Sequence, residues 1–98
     1  MEEETIQKGI IAGISGHPMS GLWNLHFEDG KTILIESGYG VRNLASCFGA
    51  TEGTGDLQKK IKGQTIFYTA DAFNVLCGFT PEKEATPEII NRYEKKQE

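Results

Sequence analysis

The sequence predicts a small, mainly β (α+β) domain: a five-stranded, antiparallel, partly open barrel carrying a short C-terminal helix. Three observations point there. Short apolar runs, several of them alternating, recur at Leu22 to Phe27, Ile33 to Ile35, Gln64 to Thr69 and Phe73 to Phe79. A longer first run, Ile6 to Ser15, is interrupted by Gly9 and Gly13, which weaken a flat strand but suit one bent at a barrel corner. Between the third and fourth strands, Val41, Leu44, Ala45 and Phe48 recur at i, i+3, i+4 and i+7, the spacing of one helix face.

At 98 residues the chain is long enough for one domain with a modest core and too short for two. The expected division is a disordered N-terminus over residues 1–4, a barrel-like domain over 5–80, and a linker with an amphipathic helix over 81–98. Apolar residues make up 38% and charged residues 24%, a globular rather than a disordered composition. No apolar run approaches the roughly 20 residues of a membrane span. The acidic start, MEEE, lacks the basic and apolar regions of a secretory signal, so a cytoplasmic protein is expected.

The formal net charge of -4 is confined to the tails. Between Thr5 and Phe79, six acids (Glu28, Asp29, Glu36, Glu52, Asp56, Asp71) balance six bases (Lys8, Lys31, Arg42, Lys59, Lys60, Lys62). A duplex-DNA binder shows a basic face, and none is evident. Lys59, Lys60 and Lys62 read as a solvated helix face. Cys47, Cys77, His17 and His26 are the ingredients of a zinc site without its spacing, and both thiols are expected on core faces as small apolar groups. Neither a metal nor a cofactor is expected.

Each element has its own signal. In the first strand Ile6, Ile10, Ala12 and Ile14 are expected on one face and Ile11 on the other. Gly16 to Gly21 is a loop by composition, with Met19 capping the core. In the second strand Trp23, Leu25 and Phe27 share a face opposite Asn24 and His26. The hairpin at Asp29-Gly30 allows two registers. A two-residue loop would set Thr32 against Phe27 and leave Ile33 and Ile35 on the polar side. A three-residue loop, Glu28-Asp29-Gly30 with a left-handed glycine, sets Ile33 against Leu25 and Ile35 against Trp23. A one-residue slip turns every side chain over, so the bulged three-residue turn is the prediction. Gly49 stands where the first helix should end. Asp56 is the expected N-cap of a helix over Leu57 to Lys62, which Gly63 stops. Phe73, Val75, Cys77 and Phe79 alternate along the fifth strand. Thr86-Pro87-Glu88 opens the last helix with a capping hydroxyl, proline at the first position and an acid at the positive dipole end. Its apolar stripe is Ile89, Ile90 and Tyr93.

This order, β1-β2-β3-α-β4-β5, is similar to that of OB-folds. The similarity is one of element order, and no motif accompanies it. An SH3-like barrel with an insertion, or an open α+β sheet, is the alternative architecture.

Catalytic motifs are missing: there is no interpretable Ser/His/Asp set, HExxH or P-loop. Cys47 with His26 is the one conceivable nucleophile and base, but Cys47 lies in a helix and His26 has no evident orienting partner. A non-enzymatic binding module is therefore expected. The strand-to-helix junction Ser37-Gly38-Tyr39-Gly40 points free backbone N–H groups and a helix dipole at one spot. Arg42 and Asn43 follow in the first turn. A small anionic ligand, most simply a nucleotide or nucleotide-derived signal, would have its phosphate held there and its base stacked on Tyr39, as in a sensor or sequestering protein. Thr51 and Thr54 are further candidates from the loop at the helix's other end, roughly 12 Å away, a gap that a second subunit of a homo-oligomer would close. The alternative is a protein-interaction module, an inhibitor or adaptor of the small viral-antagonist type, using Ile89, Ile90 and Tyr93. Single-stranded nucleic acid ranks third.

Overall fold

The protein was examined as a computed structural model that describes residues 6–16, 21–51 and 54–97. The expected disorder of residues 1–4 and the expected role of Met19 lie outside the described residues. The strands are β1 (Gln7–Ser15), β2 (Leu22–Phe27), β3 (Thr32–Glu36), β4 (Thr65–Ala70) and β5 (Leu76–Pro81). Helices α1 (Tyr39–Cys47) and α2 (Thr54–Ile61) lie between β3 and β4 in the chain. A 3-10 turn, Glu82–Glu84, leads into α3 (Pro87–Gln97). The strands form one antiparallel sheet in the order β3-β2-β1-β4-β5. It curls until its edges meet at a single parallel bridge, Leu34 to Val75, where Leu34 N–H donates to the Asn74 carbonyl at 2.8 Å. The sheet does not close further.

The hairpin takes the bulged register. Leu25 pairs with Ile33 and Trp23 with Ile35, and Phe27 N–H donates to the Lys31 carbonyl at 2.8 Å. Gly30 sits at φ 95°, the left-handed conformation the three-residue turn needs. All four of those side chains are buried, together with Ile11, Ile14, Phe27, Val41, Leu44, Leu57, Ile61, Ile66 and Tyr68. Phe27 stacks on Tyr68 with ring centroids 4.8 Å apart. A side chain at Gly9 would strike the Phe27 ring at 2.6 Å, so the aromatic pair lies directly over bare backbone.

The inward face of β1 differs from the expectation. Ile11 and Ile14 are buried, whereas Ile10 is 42% exposed and Ala12 only half-buried. The pairing with β2 shifts between Ile11 and Gly13, and one extra residue in a strand inverts the alternation beyond it. A second irregularity, between Thr69 and Ala70, does the same to β5. That strand starts at Leu76, so Phe73 falls on the hairpin tip at 81% exposure and Cys77 faces solvent. The expected alternation from Phe73 to Phe79, and the core placement of Cys77, are corrected accordingly.

Helix ends follow their chemistry. Gly49 at φ 67° ends α1, with Gly49 N–H donating to Ser46 O and Ala50 N–H to Ala45 O. The helix begins at Tyr39, two residues before the expected start, and Phe48 serves as its C-cap. α2 begins at Thr54, so Asp56 lies inside its first turn instead of capping it, and Gly63 at φ 83° follows its end. In α3, Thr86 Oγ1 accepts from Ile89 N–H at 3.3 Å, the expected N-cap. Its Tyr93 ring meets Phe67 edge-on at 5.5 Å. Phe67 lies on the outer side of β4, while Ile66 and Tyr68 point inward, which is why the strand TIFYTA is apolar on both faces. Lys8 lies over the same Phe67 ring and pairs with Glu82 at 3.3 Å. None of the helices among the described residues is long and apolar enough to cross a membrane.

Candidate functional site

β3 ends at Glu36, and Ser37 and Gly38 turn the chain into α1. Ser37 N–H donates to Gly21 O at 3.1 Å, and the Gly38 carbonyl accepts the first helical bond from Arg42 N–H at 3.0 Å. No side chain caps this end of the helix. Tyr39 is 74% exposed and Arg42 is exposed. The two glycines have different reasons to be glycine. A Cβ at Gly40 would lie 2.6 Å from Ile35 Cγ1, whereas one at Gly38 would meet nothing within 4 Å. Gly40 therefore serves the packing of α1 on β3.

Because β3 stops where β5 continues, the seam of the sheet stays open and α1 forms its far wall. The result is a groove of about 710 Å³. Tyr39, Gly40, Asn43, Ser46 and Cys47 line it from the helix, and Leu76 through Pro81 line it from β5. Glu36 and Glu84 add two carboxylates, and among the described residues the lining contains no lysine or arginine. Of the residues singled out from sequence, Tyr39, Gly40 and Asn43 line the groove. Ser37, Gly38 and Arg42 belong to the turn and flank outside its lining. Thr51 is at the other end of α1, where its N–H and hydroxyl donate to Asp56 at 2.8 and 3.3 Å. These bonds, the backbone one foremost, hold the Asp56 carboxyl below its usual range. The expectation for the Thr54 hydroxyl lies outside what the structure describes.

The thiol of Cys47 faces the groove instead of the core and donates to Glu84 Oε2 at 3.6 Å. Burial is the main cause that raises its pKa; the Glu84 charge and hydrogen bond raise it further, and Lys83 offsets part of this. Such a thiol is protonated at neutral pH and is a weak nucleophile. Sequence reasoning missed Glu84 because it lies in a stretch read as linker, 37 residues from Cys47 in the chain. Only the fold brings the two together.

His26 does have partners. Its Nε2 lies 2.7 Å from Ser15 Oγ and its Nδ1 3.1 Å from Thr32 Oγ1. The chain of hydroxyl, imidazole and hydroxyl ties β1, β2 and β3 together on the outer side of the sheet. Cys47 is not among these partners. The arrangement is a polar strand tie.

Ile89, Ile90 and Tyr93 are half-buried. Ile89 and Arg92 border a second, shallower cleft of about 370 Å³ with Ile6, Phe67 and Phe79. The α3 stripe thus docks on its own sheet. Lys59, Lys60 and Lys62 are exposed along and just after α2. Among the described residues no three His, Cys, Asp or Glu side chains gather to hold a metal ion. Comparison of the chain with family models, curated proteins and solved structures finds no match.

Proposed function

We propose that the protein is a non-enzymatic binding module whose ligand lies in the groove between α1 and β5. One observation carries this reading: the sheet is left open along β5, and the opening is a groove within the size range of ligand sites, about 300–1,000 Å³. Its chemistry suits recognition. Half-buried Leu76 and Phe79 supply apolar surface, Asn43 and Ser46 supply neutral hydrogen-bonding groups, and Glu36 and Glu84 supply charge.

That charge weighs between the two classes of ligand the sequence suggests. A phosphate about 6 Å from a carboxylate meets up to about 3 kcal/mol of repulsion at an effective dielectric of about 20, before solvent screening. The groove therefore favours a neutral or cationic occupant, which supports a protein-interaction role. A nucleotide keeps a narrower support at the rim, where the uncapped start of α1 and exposed Tyr39 adjoin the groove.

The test is amide-resolved NMR of the labelled protein titrated separately with nucleotides and with short peptides. Ligand-induced shifts are expected at Asn43, Ser46, Cys47 and residues 76–80, and Ser46→Trp should abolish them by filling the groove. Shifts clustered elsewhere, or surviving in Ser46→Trp, would refute the assignment. Shifts confined to residues 38–42 with nucleotides alone would favour the phosphate site.

A further inference from the structure

We infer that the occupant of this groove is an extended, basic peptide segment of another protein, which adds to β5 as a further strand alongside Phe79. The inference rests on the groove reading above and specifies its ligand. Its first ground is the phase of the β ladder. Ile11 N–H donates to Gln64 O at 2.9 Å, and Ile11 O accepts from Gly63 N–H at 2.7 Å, so both Ile11 groups face β4. Alternation then turns the groups of Gly9 and Gln7 the same way, toward their partners Ile66 and Tyr68. The intervening Phe67 and Thr69 must bond across to β5, to their partners Thr80 and Gly78. Phe79 lies between those two and opposite Tyr68, so its N–H and C=O point away from β4.

Pro81, the next residue of the same phase, agrees with this assignment. Proline has no N–H, and strands accept it where that group would face outward. The outward edge of β5 therefore offers the Phe79 donor and acceptor to a chain lying in the groove. The Leu34–Val75 bridge lies just before β5, and β3 ends two residues after Leu34, at Glu36. The six residues of β5, about 20 Å at ~3.3 Å per residue, match a short extended segment.

Charge sets the chemistry of that segment. Glu36 stands where β3 leaves the seam and Glu84 just beyond the end of β5; among the described residues the lining between them has no lysine or arginine, and the nearby Lys83 offsets only part of the Glu84 charge at Cys47. A segment with lysine or arginine near its ends meets a carboxylate at each. A second copy of this chain is a poor occupant, because pairing two β5 edges would gather two Glu36 and two Glu84 side chains in one seam. The chain's own C-terminal segment is committed to α3 and docked through Tyr93.

The experiment uses the full chain and two pools of capped seven-residue peptides rich in Val, Thr and Ala. One pool has arginine fixed at positions two and six, the other glutamate. Fluorescence polarisation should show binding of the arginine pool and none of the glutamate pool. The Glu36→Gln, Glu84→Gln double variant should weaken binding about tenfold, in line with two partly exposed charge pairs. Hydrogen exchange should show the Phe79 amide newly protected in the complex, and N-methylation of alternate peptide nitrogens should abolish binding. Equal binding of both pools, absence of binding up to about 1 mM, or an unprotected Phe79 amide would each overturn strand addition. The groove reading fails separately: if Ser46→Trp leaves binding of whichever peptide or nucleotide responds intact, the ligand is not in the groove at all.

Discussion

Gly40→Ala tests why α1 sits where it does. The added Cβ would come to 2.6 Å from Ile35 Cγ1, about 0.8 Å inside the 3.4 Å of ordinary contact. Ile35 is 0% exposed, so its side chain can give way only by repacking within the core. Overpacking of this kind costs about 1–3 kcal/mol. Alanine returns up to about 1 kcal/mol of helix propensity, less in a first turn. The net expectation is a loss of roughly 1 kcal/mol, a fall in Tm of about 4–8 °C for a domain of this size. A double-mutant cycle with Ile35→Ala makes the test specific. Ile35→Ala alone should cost about 2–5 kcal/mol through its cavity. In the double variant the new methyl group partly fills that cavity, so the combined loss should be smaller than the sum by about 1 kcal/mol. Chemical denaturation monitored through Trp23, which lies in the same buried cluster, measures all three variants. A neutral or stabilising Gly40→Ala that adds independently to Ile35→Ala would refute the packing explanation and return Gly40 to the anion-site reading.

Three further expectations concern α3 and the two thiols. Truncation after Ala85 removes α3 and uncovers Phe67, which is 5% exposed under Tyr93 and Lys8; the expected loss is about 1–3 kcal/mol, read as a lower melting temperature, and an unchanged Tm would mean that α3 does not hold Phe67. Cys77 should alkylate with iodoacetamide before Cys47 at neutral pH, because Cys77 is exposed whereas the Cys47 pKa is raised by burial and by Glu84. Glu84→Gln removes the charge that favours the protonated thiol, so Cys47 should react faster and its pH–rate curve should move to lower pH. An unmoved curve, followed by peptide mass spectrometry, would show that Glu84 does not act on the thiol.

What could be read from the sequence was local. The hairpin turn was legible because only one register buries Trp23, Leu25, Ile33 and Ile35 together. The end of α1 at Gly49 and the start of α3 at Thr86 were legible because capping is chemistry within a few residues. The inner face of β1 was not, since the shift between Ile11 and Gly13 is set by pairing with β2, whose register no alternation pattern in β1 reveals. The irregularity beside Ala70 hid the true phase of β5 in the same way, and with it the exposure of Cys77 and Phe73. The turn from strand into helix at Gly38 to Arg42 is legible in its glycines and the apolar spacing that follows, although the helix starts at Tyr39 and not Val41, but the groove beside it is invisible. It depends on β5 running on past the end of β3 and on Glu84 folding back to Cys47.

The same contact that stabilises the fold also leaves the groove open. A sheet of five strands could close by zipping β3 along β5, and the chain begins to do so at Leu34 and Val75. The β4–β5 turn anchors that start firmly: Asp71 Oδ1 accepts from Phe73 and Val75 N–H, and Asn74 Nδ2 donates to Thr32 O at 2.8 Å. Two residues after Leu34, β3 ends at Glu36, and the bare backbone of Gly40 lets α1 settle against Ile35, which gives the next part of the seam to a helix. A helix has no outward backbone groups to pair with a strand, so α1 does not take up the outward N–H and C=O of Phe79 in β5. Edge strands left in that state invite association. Here Pro81 removes one donor, and Glu36 and Glu84 set like charges against a second copy of the same edge. Those features disfavour self-pairing, and the proposed basic segment would meet the Phe79 edge without that repulsion.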